Sequence, residues 1–170
     1  MAGDIQTQYP AGDTTALTIT LTGLGTSSTL VAGRESTVVS NITNEDEDHL
    51  VSGLVTVGTS PTGGRIEVWA YAPVKTASST PTYPVVTGTD AAATFASRNQ
   101  ILGAVRLLWS QVSDTTSDRP YYMPQTSVRD AFGELPQRWG IVVVHSTGVN
   151  LNATATNHYF HYDRIRKQYT

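Results

Sequence analysis

Three groups of residues in the 170-residue chain have side chains suited to chemistry. His158 and His161 stand three apart near the C-terminus, four acids run from Glu45 to Asp48, and Glu67, Asp130 and Glu134 belong to a set of fourteen acids. A histidine pair can begin a metal site, but residues three apart in a strand point to opposite faces, so this pair chelates nothing unless the strand is bulged. With His49 and His145 these side chains are read as hydrogen-bonding groups at the surface or between subunits. The acidic run offers oxygens to calcium, yet it lacks the spaced ligands and mid-loop glycine of an EF-hand. It is read as a solvated loop, or as a charge contact with a neighbour in an assembly. Glycoside hydrolysis needs two opposed carboxylates, and nothing in the spacing of Glu67, Asp130 and Glu134 singles out a pair. No G-x-S-x-G elbow and no glycine-rich phosphate loop is present. The expectation is a non-enzymatic chain with no catalytic residue, no metal and no cofactor.

Aromatic side chains are better placed to bind something. Trp69, Trp109, Trp139, Tyr121 and Tyr122 could stack on sugar rings or hold a protein interface. In a strand Trp69 shares its face with Glu67 and Tyr71, which makes it the best candidate for an interfacial ring. Tyr121 and Tyr122 follow a polar loop, and Tyr9 sits in a polar N-terminal stretch where it would anchor in a neighbouring subunit. The candidate contact residues are Tyr9, Trp69, Tyr71, Tyr121 and Tyr122.

These side chains must be positioned by strands. Leu17, Ile19 and Leu21 alternate with Thr18, Thr20 and Thr22, which predicts a half-buried strand over 16–22. Further strands are expected over 35–42, 50–57, 65–72, 100–109, 121–123, 139–145 and 158–166, with one or two helical turns over 127–132. The loop GTSPTGG at 58–64 carries the turn residues of a hairpin, so the strands on either side of it are expected to pair antiparallel. Residues 73–93, rich in Ser, Thr, Pro and Ala, form a long connection. Residues 1–14 are polar and interrupted by Pro10 and Gly12, and are read as an extended arm before a single domain over 15–170. About eight strands at turn-separated spacing predict an all-β chain, a β-sandwich or jelly roll.

Composition narrows the partners. There are 26 threonines and 14 serines, and charged residues make up 15%, against about 25% in typical domains; the hydroxyl bias suits pleated backbone. A net charge of −3 offers no footprint for a phosphate backbone, so no direct nucleic-acid contact is expected. The absence of cysteine fits assembly in a reducing cytoplasm. The opening residues do not form a secretory signal, and no apolar run is long enough to span a membrane.

The segment DAFGELPQRWGIVVVHSTG, Asp130 to Gly148, resembles a segment near the C-terminus of small tailed-bacteriophage virion structural proteins. The opening MAGDIQTQY and the stretch GGRIEVWAYA are similar to the same group. The resemblance implies a decoration or cement protein on the capsid exterior, bound to the major capsid protein, self-associating as a dimer or trimer and assembled in the bacterial host cytoplasm. A place in the neck or tail of the virion is the nearest alternative. The residues also leave open a carbohydrate-binding or host-recognition module, with a small hydrolase last.

Overall fold

The computed structural model describes residues 5–9, 14–74, 81–83 and 85–169. It is mostly β and contains two antiparallel sheets. In chain order the elements are β1 (Ile5–Gln8), β2 (Thr15–Ala16), β3 (Ala32–Glu35), β4 (Val39–Ser40), β5 (Asp48–Thr56), β6 (Gly64–Tyr71), β7 (Ala92–Thr94), α1 (Arg98–Ala104), β8 (Arg106–Ser113), β9 (Pro120–Ser127), α2 (Val128–Phe132), β10 (Arg138–His145) and β11 (His158–Tyr169). The first sheet has the order β1-β11-β5-β9 with β2 beside β11; the second has the order β7-β3-β10-β6-β8 with β4 beside β10. Eleven strands are thus present among the described residues, against an expected eight, and the excess is short: β2 and β4 have two residues each and β7 has three. With the short β4 and β7 set aside, the strands pair from the ends of the chain inwards. The strands β1 and β2 pair with β11, β3 with β10, β5 with β9, and β6 with β8.

The larger core lies between the sheets. Val51, Val55 and Phe160 from the first sheet meet Ile66, Val68, Trp139, Ile141 and Val143 from the second. A smaller core covers the other side of the second sheet, where Trp69, Tyr71, Val142 and Val144 pack with Phe95, Ile101 and Val105. This second layer explains why β10 reads as a continuous apolar run: alternate side chains serve different cores, and both faces are buried. The same holds for β6, with Ile66 and Val68 on one side and Trp69 and Tyr71 on the other. Two glycines allow close ring packing. A Cβ on Gly53 would lie 2.3 Å from the Phe160 ring, and one on Gly140 would lie 2.4 Å from Tyr71.

Two expectations are corrected. The strands over 50–57 and 65–72 do not form a hairpin: β5 pairs with β11 and β9, while β6 pairs with β10 and β8. The connecting loop crosses between the sheets because it is tied to a distant segment. Val57 bridges to Leu151, Asn152 N donates to Thr56 O, and Thr62 N donates to Thr147 O. The expected strand over 100–109 is instead helix α1 followed by β8. Ser97 caps the helix by accepting from Gln100 N, and Ile101 is its one buried side chain.

The alternation over 16–22 is present in burial, with Leu17 and Leu21 inside and Thr18, Thr20 and Thr22 outside. Only Thr15–Ala16 joins a ladder; beyond it Leu17 N donates to Phe160 O, and Thr18 O accepts from Thr37 N. Of the expected arm, Ile5–Gln8 forms β1, exposed along its length, at the edge of the first sheet. Residues 1–4 and 10–13 of the arm, and 75–80 and 84 of the long connection, lie outside the described residues. Val86 of that connection belongs to the smaller core, and Asp90 pairs with Arg34 at 2.7 Å.

Candidate interaction surface

The five expected contact residues separate into two groups. Trp69, Tyr71 and Tyr121 are 3%, 0% and 8% exposed, whereas Tyr9 and Tyr122 are 68% and 65% exposed. Trp69 does share its face with Glu67, and its Nε1 donates to Glu67 Oε2 at 2.9 Å. That face is covered, however: Arg98 of α1 pairs with Glu67 at 2.6 Å and lies over the indole at 4.9 Å. The ring anchors a helix to a sheet and is not a surface contact. Tyr71 donates from its hydroxyl to Ser36 O at 2.7 Å, and burial pushes its phenol above the usual range. Tyr121 donates to Asp114 Oδ1 at 3.0 Å and accepts from Asp114 N at 2.9 Å, fixing the loop before β9. Trp139 is fully buried and Trp109 packs against the larger core.

Tyr122 is part of a row that the sequence reading missed. On the outer face of the first sheet, Tyr159 of β11 stands opposite Leu54 of β5, which stands opposite Tyr122 of β9. Tyr159 is 45% exposed, and its ring lies 5.3 Å from that of His161. The signal was available: in the run His158–Asp163, Phe160 faces the core, so its neighbour Tyr159 must face outward.

The three acids weighed for hydrolysis fall in three places. Glu67 is buried against Arg98, Asp130 lines a depression of about 440 Å³ with Glu47, Arg129 and Lys167, and Glu134 lines another beside Pro73 and Pro136. A third depression, of about 370 Å³, holds Asp118, Asn152 and Thr154. Among the described residues no three metal-ligating side chains gather to hold an ion. No described helix is long and apolar enough to cross a membrane.

The acidic run is not a solvated loop, which corrects that expectation for two of its members. The Asp46 carboxylate is fully buried between three donors: Arg164 Nε at 2.7 Å, Arg166 Nε at 2.7 Å and His49 Nε2 at 3.0 Å. Asn41 orients the loop by bonding both the N–H and the carbonyl of Asp46. Burial alone would raise the Asp46 carboxyl, but the hydrogen bonds from Arg164, His49 and Arg166 outweigh it and hold the group below its ordinary value. Asp48 accepts from Ser127 Oγ and Arg129 N, so it anchors the start of α2.

Two of the four histidines, His49 and His145, are buried, and His158 is half-buried. His49 Nδ1 accepts from Trp139 Nε1 at 2.8 Å, which leaves its Nε2 to donate to Asp46 and makes the ring neutral. His145 is fully buried between Leu24 O and Thr147 Oγ1. His158 Nε2 bonds Asn152 O, and Nδ1 accepts from Thr56 N. Burial holds all three below the ordinary histidine value. The unfolded chain therefore takes up protons that the folded chain refuses. Stability is fully present above about pH 6.5 and falls as the pH drops from there through the folded values, by about 1.4 kcal/mol per histidine for each unit of depression. Denaturant midpoints should decline steadily between pH 7 and 5; a profile that stays flat to pH 5 would contradict the neutral, buried assignment.

Compared with protein-family models, with curated proteins and with solved structures, the chain shows no match.

Proposed function

We propose that the chain is a structural protein of a tailed-bacteriophage virion. In this reading it is a head decoration or cement protein with a jelly-roll body that binds the major capsid protein from the capsid exterior as a dimer or trimer. The nested pairing of outer strands with outer and inner with inner supports the jelly-roll order, an arrangement used by viral capsid and lectin domains. The similarity of Asp130–Gly148, of the opening residues and of the stretch around Trp69 to small phage virion proteins supports the setting. The observation that carries the docking mode is the end of the first sheet. There β11 continues four residues past its last pairing with β5, and its neighbour over those residues is β1, whose side chains are all exposed. Such a strand adds backbone edge without adding core, so a neighbour's sheet can extend it at little cost to the domain. Binding only the assembled shell then stabilises it by mass action at every copy.

Co-sedimentation with undecorated expanded heads, and separately with unexpanded shells, tests the proposal. The expected result is saturable binding to expanded heads at a fixed ratio per capsomer. Removing residues 1–9 should weaken that binding at least tenfold while changing the isolated domain's unfolding free energy by less than about 1 kcal/mol, since exposed positions contribute little. Binding to neither particle would overturn the head assignment.

A further inference from the structure

We infer that the outer face of the first sheet is a stacking platform for an uncharged, extended, β-linked glycan, with Tyr122 and Tyr159 each holding one sugar ring. The inference does not depend on shell binding, since it uses the face of the sheet rather than its β1 edge.

The geometry follows from the register. Tyr159, Leu54 and Tyr122 occupy one row across β11, β5 and β9, and all three project from the face opposite Val55, Phe160 and Tyr121, which enter the larger core. Adjacent strands lie about 4.8 Å apart, so the two tyrosines stand roughly 9.5 Å apart with an aliphatic side chain between them. In an extended β-linked hexose chain alternate rings present the same face, and two tyrosines at this separation meet every second ring while Leu54 underlies the ring between. A sugar face of axial C–H groups stacks on an aromatic ring as another apolar face does, while the hydroxyls at its rim stay in water.

Charge and area select this occupant. No Lys, Arg, Asp or Glu stands in the row, and the rows beside it carry His161 and Ser52 on one side and Thr56 and Pro120 on the other. The nearest acid along β11 is Asp163, whose oxygens are taken by Thr14 Oγ1 and Gln125 Nε2. A neutral ligand is matched by such a face; a phosphate chain or a charged peptide is not. Tyr122 and Tyr159 are 65% and 45% exposed. With about 150–250 Å² per aromatic side chain, the row offers on the order of 200–300 Å², well short of the roughly 800 Å² per partner of a stable protein interface. That is enough for two or three sugar rings and too little for a second copy of the chain.

Calorimetric titration of the full chain with cellohexaose, chitohexaose and xylohexaose, and with the matching disaccharides, tests the inference. At least one hexasaccharide should bind saturably and with little dependence on salt. Its disaccharide should bind at least about tenfold more weakly, because it cannot reach both tyrosines. Tyr122→Ala and Tyr159→Ala should each lose at least about fivefold in affinity, and Tyr122→Phe should keep most of it, since a face and not a hydroxyl is used. Both positions are exposed, so the variants should unfold at the wild-type midpoint. Absence of binding by all three hexasaccharides, binding unaffected by either alanine, or equal binding of disaccharide and hexasaccharide would each overturn the inference. So would a concentration-dependent dimer abolished by Tyr122→Ala, which would assign the face to a second copy.

Discussion

Replacing Trp139 with alanine should destabilise the fold by about 3–5 kcal/mol, the range for deleting a large buried aromatic. The indole is fully buried in the core between the sheets. It packs edge-on to Tyr162 at 5.6 Å and against His49 at 5.5 Å. Alanine removes that volume where two sheets, each pinned by its own ladders, cannot collapse into the space. It also removes the donor to His49 Nδ1, leaving a buried acceptor without its bond. Trp139→Phe separates the two contributions: it refills most of the volume without restoring the N–H, and should cost about 1–2 kcal/mol. Urea denaturation at pH 7.5 measures both, and an alanine variant with an unchanged midpoint would show that the ring does not hold the sheets together.

The position of Trp139 was legible because a strand buried on both faces leaves an unbroken apolar run, and β10 is such a strand. Alternation was likewise legible over 16–22, where burial follows the pattern even without a full ladder. Pairing was not. The loop at 58–64 has residues that suit a tight hairpin and a crossing between sheets equally, and the contacts that decide, Val57 with Leu151 and Thr62 with Thr147, lie far along the chain. Helix α1 carried a local signal that apolar content masked: Ser97 and Gln100 stand at the spacing of a capping box, and Ser97 does cap the helix. With a strand expected over 100–109, no element covers Trp69, and its place beside Glu67 then points to exposure.

The exposed row on the first sheet was half legible for a related reason. Tyr122 was identified as an aromatic beside a polar loop, but its partners Leu54 and Tyr159 come from strands distant in sequence, and only the register of β9, β5 and β11 puts the three in one row. The charge network was hidden differently. Four consecutive acids read as solvated unless cations are known to converge on them, and the cations are Arg164 and Arg166, alternate residues of β11 that share a face. Two guanidinium groups on the inward face of β11 themselves require a buried anion.

Replacing Asp46 with alanine should cost about 3–5 kcal/mol, the range for removing one partner of a buried ion pair. Its carboxylate is inaccessible, while the side chains of Arg164 and Arg166 are 16% and 38% exposed. Loss of the anion takes the carboxylate away from both guanidinium groups and leaves the buried His49 N–H without the acceptor it bonds. Asp46→Asn should recover only part of the loss, because an amide keeps the shape but supplies one acceptor in place of two and no charge. A surface pair would weaken in salt, but here the carboxylate is inaccessible and Arg164 is mostly buried, so the cost should change little between 0.1 M and 1 M NaCl. The pH dependence has a definite sign: a carboxyl held below its ordinary value contributes stability that is present above about pH 4 and is lost as the pH falls through the folded value. The variant should therefore lose part of the wild-type decline below pH 4 while keeping the histidine-linked decline that begins near pH 6.5. A loss of less than 1 kcal/mol, or a strong salt dependence, would mean that water reaches the network. The tie between the acidic loop and the last strand would then lie in the Asn41 hydrogen bonds to the Asp46 backbone, which alanine leaves intact.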